Sequence, residues 1–310
     1  MKKNSITYPK LMLSLSILYI VAICIFMLIH RMWFSPDQFF IFAFFGTFFL
    51  GRARIFFLDW LPFILSYFGY EFLRSVVPFI IGHVHILGMI KLDQFIFGYI
   101  PSLKFQTLFY NPLNISWYDY LSAFVYISHF VTPMIVGFIF WLTDRKIFRE
   151  YAIAFLILSY AGLITFIFFP AMPPWMASDL GYLPKISQTL GPIMSHFPVT
   201  SINFPTIYAL VGSDPVAAIP SLHAAFPLLI LFFLIKKFKY WGLLFIPYVI
   251  GVWFAVIYLG EHYFTDVAIG AVYATSIFVI FEKRNFIISR LKILLKKINR
   301  PLYSYIKARA

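Results

Sequence analysis

The chain has 310 residues, of which 62% are hydrophobic and only 12% charged, with a formal net charge of +13. Soluble domains carry about 25% charged residues, so this apolar excess excludes a single water-facing globule and leaves a polytopic membrane protein. The 40 Phe and 20 Tyr suit lipid-facing and interfacial positions, and the single cysteine, Cys24, excludes an intrachain disulfide.

Taken in chain order, eight apolar runs are expected to span the membrane as helices: about 11–30, 37–51, 55–74, 117–142, 149–170, 220–235, 241–259 and 265–282. The first follows a Met-Lys-Lys-Asn start and is long enough to cross. No small-residue cleavage site follows it, so it is expected to be a retained span. Pro62, Pro133 and Pro247 interrupt later runs, which packed membrane helices tolerate. The expected organisation is an all-α membrane bundle with N-terminal spans over 1–54, a catalytic unit over 55–284 and a basic tail over 285–310. No internal repeat is evident, which weakens an inverted-repeat transporter.

Lysine and arginine orient these spans. With a cytoplasmic N-terminus and strict alternation, 20 of the 25 basic residues fall inside. The five outside are Arg31, Arg74, Lys91, Lys104 and Lys185. This is the positive-inside pattern, and it accounts for the basic charge without a nucleic-acid partner. Both termini are then cytoplasmic. Two long stretches fall outside. The first, about 75–116, is too polar and broken to span and is expected to form short interfacial helices. The second, about 171–219, is rich in Pro, Ser and Gly, hence irregular and stiff. The tail carries apolar residues at helical spacing with Lys or Arg between them. It reads either as an amphipathic helix on the inner leaflet or as a solvated tail.

This topology gathers polar residues on the outer face. His223 lies near the outer end of the sixth span, His262 follows the outer end of the seventh, Asp266 opens the eighth, and Arg74 closes the third. His262 and Asp266 are four apart, so on a helix beginning near His262 they share a face. A carboxylate there fixes the imidazole tautomer and leaves the other ring nitrogen as a nucleophile. Pro220 suits a first helical turn, whose unpaired N–H groups suit a phosphate, and the Ser221 hydroxyl adds to that anion site. His223 is placed to protonate a leaving oxygen, and Arg74 to pair with phosphate. A nucleophilic His, an orienting Asp, an acid His and an anion cradle are the equipment of phosphoryl transfer. Spacing alone leaves the alternative open, since a histidine at a membrane interface also serves as a structural hydrogen-bonder.

The motifs Pro220-Ser221-Leu222-His223-Ala224-Ala225 and Gly260-Glu261-His262-Tyr263-Phe264-Thr265-Asp266 resemble the second and third signature motifs of the type 2 phosphatidic acid phosphatase superfamily. The similarity is greatest to the branch containing fungal inositol phosphorylceramide synthase and its bacterial relatives, in which the second motif reads PSLH and HYxxD follows. AMPPW at 171–175 and YEFLR at 70–74 look like that bacterial branch, and the resemblance extends from about Tyr70 to Ala274. It implies a six-helix-type membrane core, no metal and no cofactor. It also implies attack by His262 on a lipid phosphoester, with Asp266 as its partner, His223 as the acid and Ser221 helping to hold the phosphate. Two departures stand out. Ala255 and Val256 occupy the positions of a Ser-Arg pair in the broad family, and Arg74-Ser75-Val76-Val77-Pro78 is only a partial echo of the first motif. Either another cation such as Lys185 compensates, or the substrate is a less charged phosphodiester.

The function implied is cleavage of a lipid phosphoester through a phosphohistidine, with transfer to an inositol-like alcohol or to water. The alternatives are a plain lipid phosphate phosphatase and a non-catalytic lipid transporter on the same fold. The span centres are nearly free of charge and His223, His262 and Asp266 are all present, which favours the enzyme. Glu71 suits an ion pair orienting Arg74 as well as a direct substrate role. Asp59 is expected at the inner interface. His129, within the fourth span, is expected to hydrogen-bond to a neighbouring helix. His83 and His85 suit either lining the site or solvation at the interface. Trp175 is expected to anchor at the headgroup level, with lining the substrate entry as the alternative. Glu261 is either a base acting on an acceptor or a solvated turn residue, and Tyr263 is expected to pack. The histidine pair lacks a third close ligand, so no zinc is expected.

Overall fold

The computed structural model describes residues 35–196 and 214–307, with some of residues 18–29; for Asn285 and residues 287–307 the backbone alone is described. The described residues are all-α. Four helical stretches are long and apolar enough to cross a membrane: Ala53–Ile80, Arg145–Phe168, Leu222–Tyr258 and Phe264–Arg284. A fifth arises if Trp117–Ser128 and Thr132–Thr143, bent by 54° at their junction, count as one span. The chain is a multi-pass membrane protein.

Helix α1 (Pro36–Phe49) opens on Ser35, whose backbone N–H donates to Gln38 Oε1 in a capping box, with Pro36 in the first turn. It packs on α2 (Ala53–Ile80), which carries Pro62 and Pro78 internally. Two short helices follow, α3 (Leu87–Phe97) and α4 (Pro101–Phe109). Gly98 ends α3 in the left-handed region at φ 74°, and Pro101 starts α4 with its preset φ. Helices α5 (Trp117–Ser128) and α6 (Thr132–Thr143) form the bent pair. Helix α7 (Arg145–Phe168) is capped by the Asp144 carboxylate, which accepts from the N–H groups of Lys146 and Ile147. After the short helices α8 (Pro174–Asp179) and α9 (Leu190–Ser195) come α10 (Leu222–Phe238), a 3₁₀ turn over Lys239–Phe245, α11 (Ile246–Tyr258) and α12 (Phe264–Lys307).

The continuous stretch Leu222–Tyr258 is a hairpin. Straight, its 37 residues would reach about 55 Å. Yet His223 at its start touches His262 just past its end, and α10 packs against α11. The reversal sits at Lys239, the one described non-glycine residue with positive φ (57°).

Several expectations are corrected. Against eight spans, the described residues supply four or five long apolar stretches, with the Leu222–Tyr258 hairpin, whose arms match the expected spans 220–235 and 241–259, counted once. The expected span 37–51 is a helix of 14 residues, about 21 Å, short of a ~30 Å hydrocarbon core. The expected span 11–30, including Cys24, lies largely outside the described residues, as does 197–213 of the second long stretch. Helix α2 continues six residues past Arg74, because nothing between Arg74 and Ile80 stops it and Pro78 is tolerated near its end. The stretch 75–116 does contain short helices, and α12 runs unbroken through the expected boundary at 284/285.

The main core is aromatic: Trp60, Tyr67, Trp141, Tyr151, Phe155 and Phe233 interlock between α2, α6, α7 and α10. At the opposite end of α10 from His223, about 20 Å away, ion pairs gather the basic residues. Lys236 reaches Glu150 at 2.7 Å and also pairs with Glu282. Arg284 reaches Glu150 at 2.8 Å, Lys237 reaches Asp144 at 3.0 Å, and Arg145 reaches Asp59 at 2.7 Å. At the His223 end a second cluster, including Met89, Ile100, Ile186 and Tyr263, fastens α3, α4 and the chain before α10 over the bundle. Three extended segments lie side by side there, with Ala171 bridging His85 on one side and Ala217 on the other.

Candidate active site

Ser221 sets the start of α10. Its hydroxyl accepts the Ala224 N–H at 3.3 Å, and its own N–H donates to the Asp266 carbonyl at 3.1 Å. The second bond ties α10 to the first turn of α12. The two backbones approach so closely at Gly270 that a β-carbon there would lie on the Ser221 carbonyl oxygen. Gly270 is therefore what lets His223 and Asp266 share one site.

The turn carrying His262 is held from four sides. Val256 carbonyl accepts both the Glu261 and His262 N–H groups at 3.1 Å. Gln106 donates to the carbonyls of Tyr258 and Ser187 at 2.9 and 2.8 Å and accepts the Ser187 N–H. The Trp175 N–H donates to the Gly260 carbonyl at 3.2 Å, and Ser102 Oγ to the His262 carbonyl at 3.2 Å. Gly260 turns the chain at φ 84°, where a β-carbon would also meet the Ser187 carbonyl oxygen at 2.8 Å. Beyond the turn, Asp93 from α3 receives the N–H groups of Phe264 and Thr265, both at 3.0 Å, and the Thr265 hydroxyl. It is a cap for α12 supplied from another helix. Burial pushes the Asp93 carboxyl above its ordinary range, and the Thr265 and Phe264 donors pull it back.

On this mount the two histidines meet: His223 Nδ1 lies 2.8 Å from His262 Nε2. Asp266 Oδ2 lies 3.5 Å from His262 Nδ1 and accepts the Tyr263 N–H at 2.9 Å. The 3.5 Å contact is longer than a hydrogen bond, and His262 Nδ1 and Asp266 Oδ1 have no other partner among the described residues. Ligand-free catalytic contacts are commonly loose and tighten when occupied. With Asp266 behind Nδ1, the favoured tautomer carries its proton there and leaves Nε2 to accept the His223 Nδ1–H.

The pair opens onto a cavity of about 650 Å³, within the usual range for small-ligand sites. Its apolar part is lined by Tyr67, Met134, Phe155, Phe166 and Phe226, and its polar part by Glu71, Arg74, Trp175, Gln188, Asp214 and Glu261. Arg74 donates through Nε and Nη2 to Glu71 Oε2 at 3.1 and 2.9 Å. Burial pushes the Glu261 carboxyl up, against the pull of the Gln188 amide and His262.

The structure thus brings Arg74, His223, His262 and Asp266 together and sets Glu71 against Arg74, the ion-pair alternative. Ser221 differs from expectation: it is fully buried, its hydroxyl caps α10, and it is absent from the cavity wall. Pro220 precedes the helix and is not in its first turn. Lys185 is exposed and away from the wall, so it does not supply the missing cation. His83 and His85 do not line the cavity; the His85 ring stacks on Phe169 at 3.9 Å. His129 is not a bridge to another helix. Its Nδ1 bonds the Tyr126 carbonyl of its own segment, and its ring stands 4.4 Å from that of His223. Asp93, Gln106 and Asp214 were not anticipated, since each acts across more than 70 residues or through a single unmatched atom. Among the described residues no cluster of three or more His, Cys, Asp or Glu suits a metal ion.

A family model described as PAP2 superfamily matches residues 100–280. The chain is 26% identical over 232 residues to the phosphoinositol dihydroceramide synthase of Bacteroides thetaiotaomicron, covering 72% of this chain and 75% of that protein. It is 27% identical over 168 residues to the inositol phosphorylceramide synthase of Candida albicans (49% of this chain, 33% of that one). It is also 27% identical over 161 residues to the inositol phosphorylceramide synthase catalytic subunit of Schizosaccharomyces pombe (51% and 38%). No solved structure matches.

Proposed function

Because the chain belongs to the PAP2 superfamily, we propose that it is a membrane lipid phosphotransferase that moves a phosphoinositol-type headgroup from a phospholipid to the hydroxyl of a ceramide-type lipid. The observation that carries this is the 2.8 Å contact between His223 Nδ1 and His262 Nε2 at the wall of a cavity whose only lining Lys or Arg, among the described residues, is Arg74. The names of the relatives support the headgroup and the acceptor. They shift inositol from the acceptor, where the sequence suggested it, to the unit transferred.

In the proposed mechanism the donor phosphodiester sits against Arg74 and the first, unpaired N–H groups of α10. His262 Nε2 attacks phosphorus, the bond from phosphorus to the diacylglycerol oxygen breaks, and His223, entering the step as its imidazolium, gives a proton to that oxygen and is left as the neutral ring. Asp266 stabilises the charge left on the phosphorylated imidazole. The ceramide hydroxyl then attacks the phosphohistidine, His223 takes back a proton, and the N–P bond breaks. A diester carries one negative charge, which suits a site with Arg74 alone and with Ala255 and Val256 where the broad family has Ser-Arg. Ser221 acts by holding the end of α10. The proposed catalytic unit is residues 55–284, and the lysine and arginine distribution supports a site on the extracytoplasmic side. The Leu222–Tyr258 hairpin counts as two crossings.

The test uses purified full-length protein in detergent with phosphatidylinositol and dihydroceramide, products identified by mass spectrometry. A new inositol-containing phosphodiester made by wild type and absent with His262→Ala is expected. Inositol phosphate released at a rate indifferent to dihydroceramide would make the protein a hydrolase, and no phosphoester cleavage by folded protein would remove the enzymatic function.

A further inference from the structure

The cavity wall contains three carboxylates, Glu71, Asp214 and Glu261, beside one guanidinium. Glu71 is committed to Arg74, and Glu261 Oε1 accepts from Gln188 at 3.1 Å. Asp214 is different. It is 8% exposed and rigidly mounted: Oδ1 accepts the Val216 N–H at 3.1 Å, and the Val216 carbonyl is fixed by the Ala171 N–H at 2.8 Å. Its Oδ2 has no hydrogen-bond partner among the described residues. It lies within electrostatic reach of Arg74. A buried carboxylate oxygen with no donor is costly by itself, and this one lines the cavity that the histidines face.

We propose that Asp214 is a headgroup-selecting residue, whose free carboxylate oxygen accepts a hydrogen bond from a hydroxyl of a polyol esterified to the phosphate held by Arg74. This rests on the phosphotransferase function proposed above and adds the subsite that recognises the transferred headgroup. An anionic phosphate against Asp214 would be repelled, whereas a neutral hydroxyl supplies the missing donor. The subsite therefore favours a polyhydroxylated diester over a phosphomonoester, whose second charge would face the carboxylates. A site that leaves a buried polar atom unpaired rejects an analogue lacking the matching group. Burial pushes the Asp214 carboxyl up, against the pull of the Val216 N–H and Arg74. Protonated or not, the side chain retains an acceptor oxygen for the hydroxyl.

The experiment compares two diester donors of equal charge, phosphatidylinositol and phosphatidylethanol, the second without a headgroup hydroxyl. Their kcat/KM values are measured for wild-type full-length protein, Asp214→Asn and Asp214→Ala, each checked for folding by its unfolding temperature. Wild type is expected to prefer phosphatidylinositol, and the phosphatidylinositol-to-phosphatidylethanol ratio to fall about 10- to 100-fold in Asp214→Ala. Asp214→Asn, nearly isosteric, keeps an acceptor and is expected to fall in between, which covers the case in which the alanine variant does not fold. An unchanged ratio in both folded variants, or equal loss on both donors, overturns the subsite while leaving the phosphotransferase in place. A wild-type enzyme that cleaves neither diester overturns both.

Discussion

Gly270 is the most informative single substitution. In an ordinary membrane helix Gly→Ala gains up to about 1 kcal/mol of helix propensity. At Gly270 the new β-carbon would lie on the Ser221 carbonyl oxygen, with the Ser221 carbonyl carbon at 3.2 Å and its nitrogen at 3.4 Å. These are backbone atoms at a capped helix start, so no side chain can swing away. A carbon–oxygen contact needs about 3.3 Å or more, so α12 must back away from α10 by on the order of 1 Å. Overpacking of this kind costs about 1–3 kcal/mol, which outweighs the propensity gain in most of that range. The same displacement moves Asp266 and His262 relative to His223, and a misplacement of about 1 Å costs about 10²-fold in rate. Gly270→Ala is therefore expected to lower the unfolding temperature in detergent and reduce kcat about 10²-fold. Gly251→Ala is the control, because its β-carbon meets only Val125 Cγ1 at 3.6 Å, an ordinary contact. It should be neutral to slightly stabilising, with unchanged turnover. Wild-type kcat and unfolding temperature in Gly270→Ala would refute the claim that this close approach positions the site.

Further outcomes are expected. His262→Ala and His223→Ala should each abolish turnover, measured by product mass spectrometry, with unfolding temperatures near wild type. Asp93→Ala strands the N–H groups of Phe264 and Thr265 and should destabilise the fold by about 1–3 kcal/mol, read by denaturation in detergent, with a larger loss in kcat than in apparent substrate affinity. Burial raises the carboxyls of Glu261 and Asp214 in the folded state. Both therefore contribute stability that is present at low pH and lost as pH rises through their folded range. Glu261→Gln should flatten the dependence of the unfolding temperature on pH just above the ordinary carboxylate range. A steeper slope in that variant would contradict the sign.

The two motifs at 220–225 and 260–270 were legible because their residues are close in sequence and act at helix ends, where local rules operate. The hydropathy pattern identified apolar runs but not how they fold: Pro133 interrupts the run 117–142, yet a proline is tolerated in packed membrane helices and so did not reveal that the run bends by 54° at His129–Val131. It also placed the end of α2 at Arg74, where a charge interrupts the pattern but not the helix. Asp93 escaped notice because its donors lie 171 and 172 residues away. Ser221 was assigned to the anion site because a serine before a helix suits a cap and a phosphate ligand equally, and only burial separates the two. Asp214 offered a carboxylate in a Pro-rich stretch, and its unmatched oxygen exists only in three dimensions.

The short contact between His223 and His262 has a consequence for the proton inventory of the cycle. In the proposed cycle, which starts with His223 protonated on both ring nitrogens, the proton that the departing lipid oxygen requires is on that ring before the donor binds. The hydroxyl of the proposed acceptor returns one to the same ring. Each turnover would then begin and end loaded, drawing none from solvent and releasing none. An enzyme built this way has no use for a water-filled channel to its base, and the apolar wall of Met134, Phe155, Phe166 and Phe226 can remain a place for lipid chains.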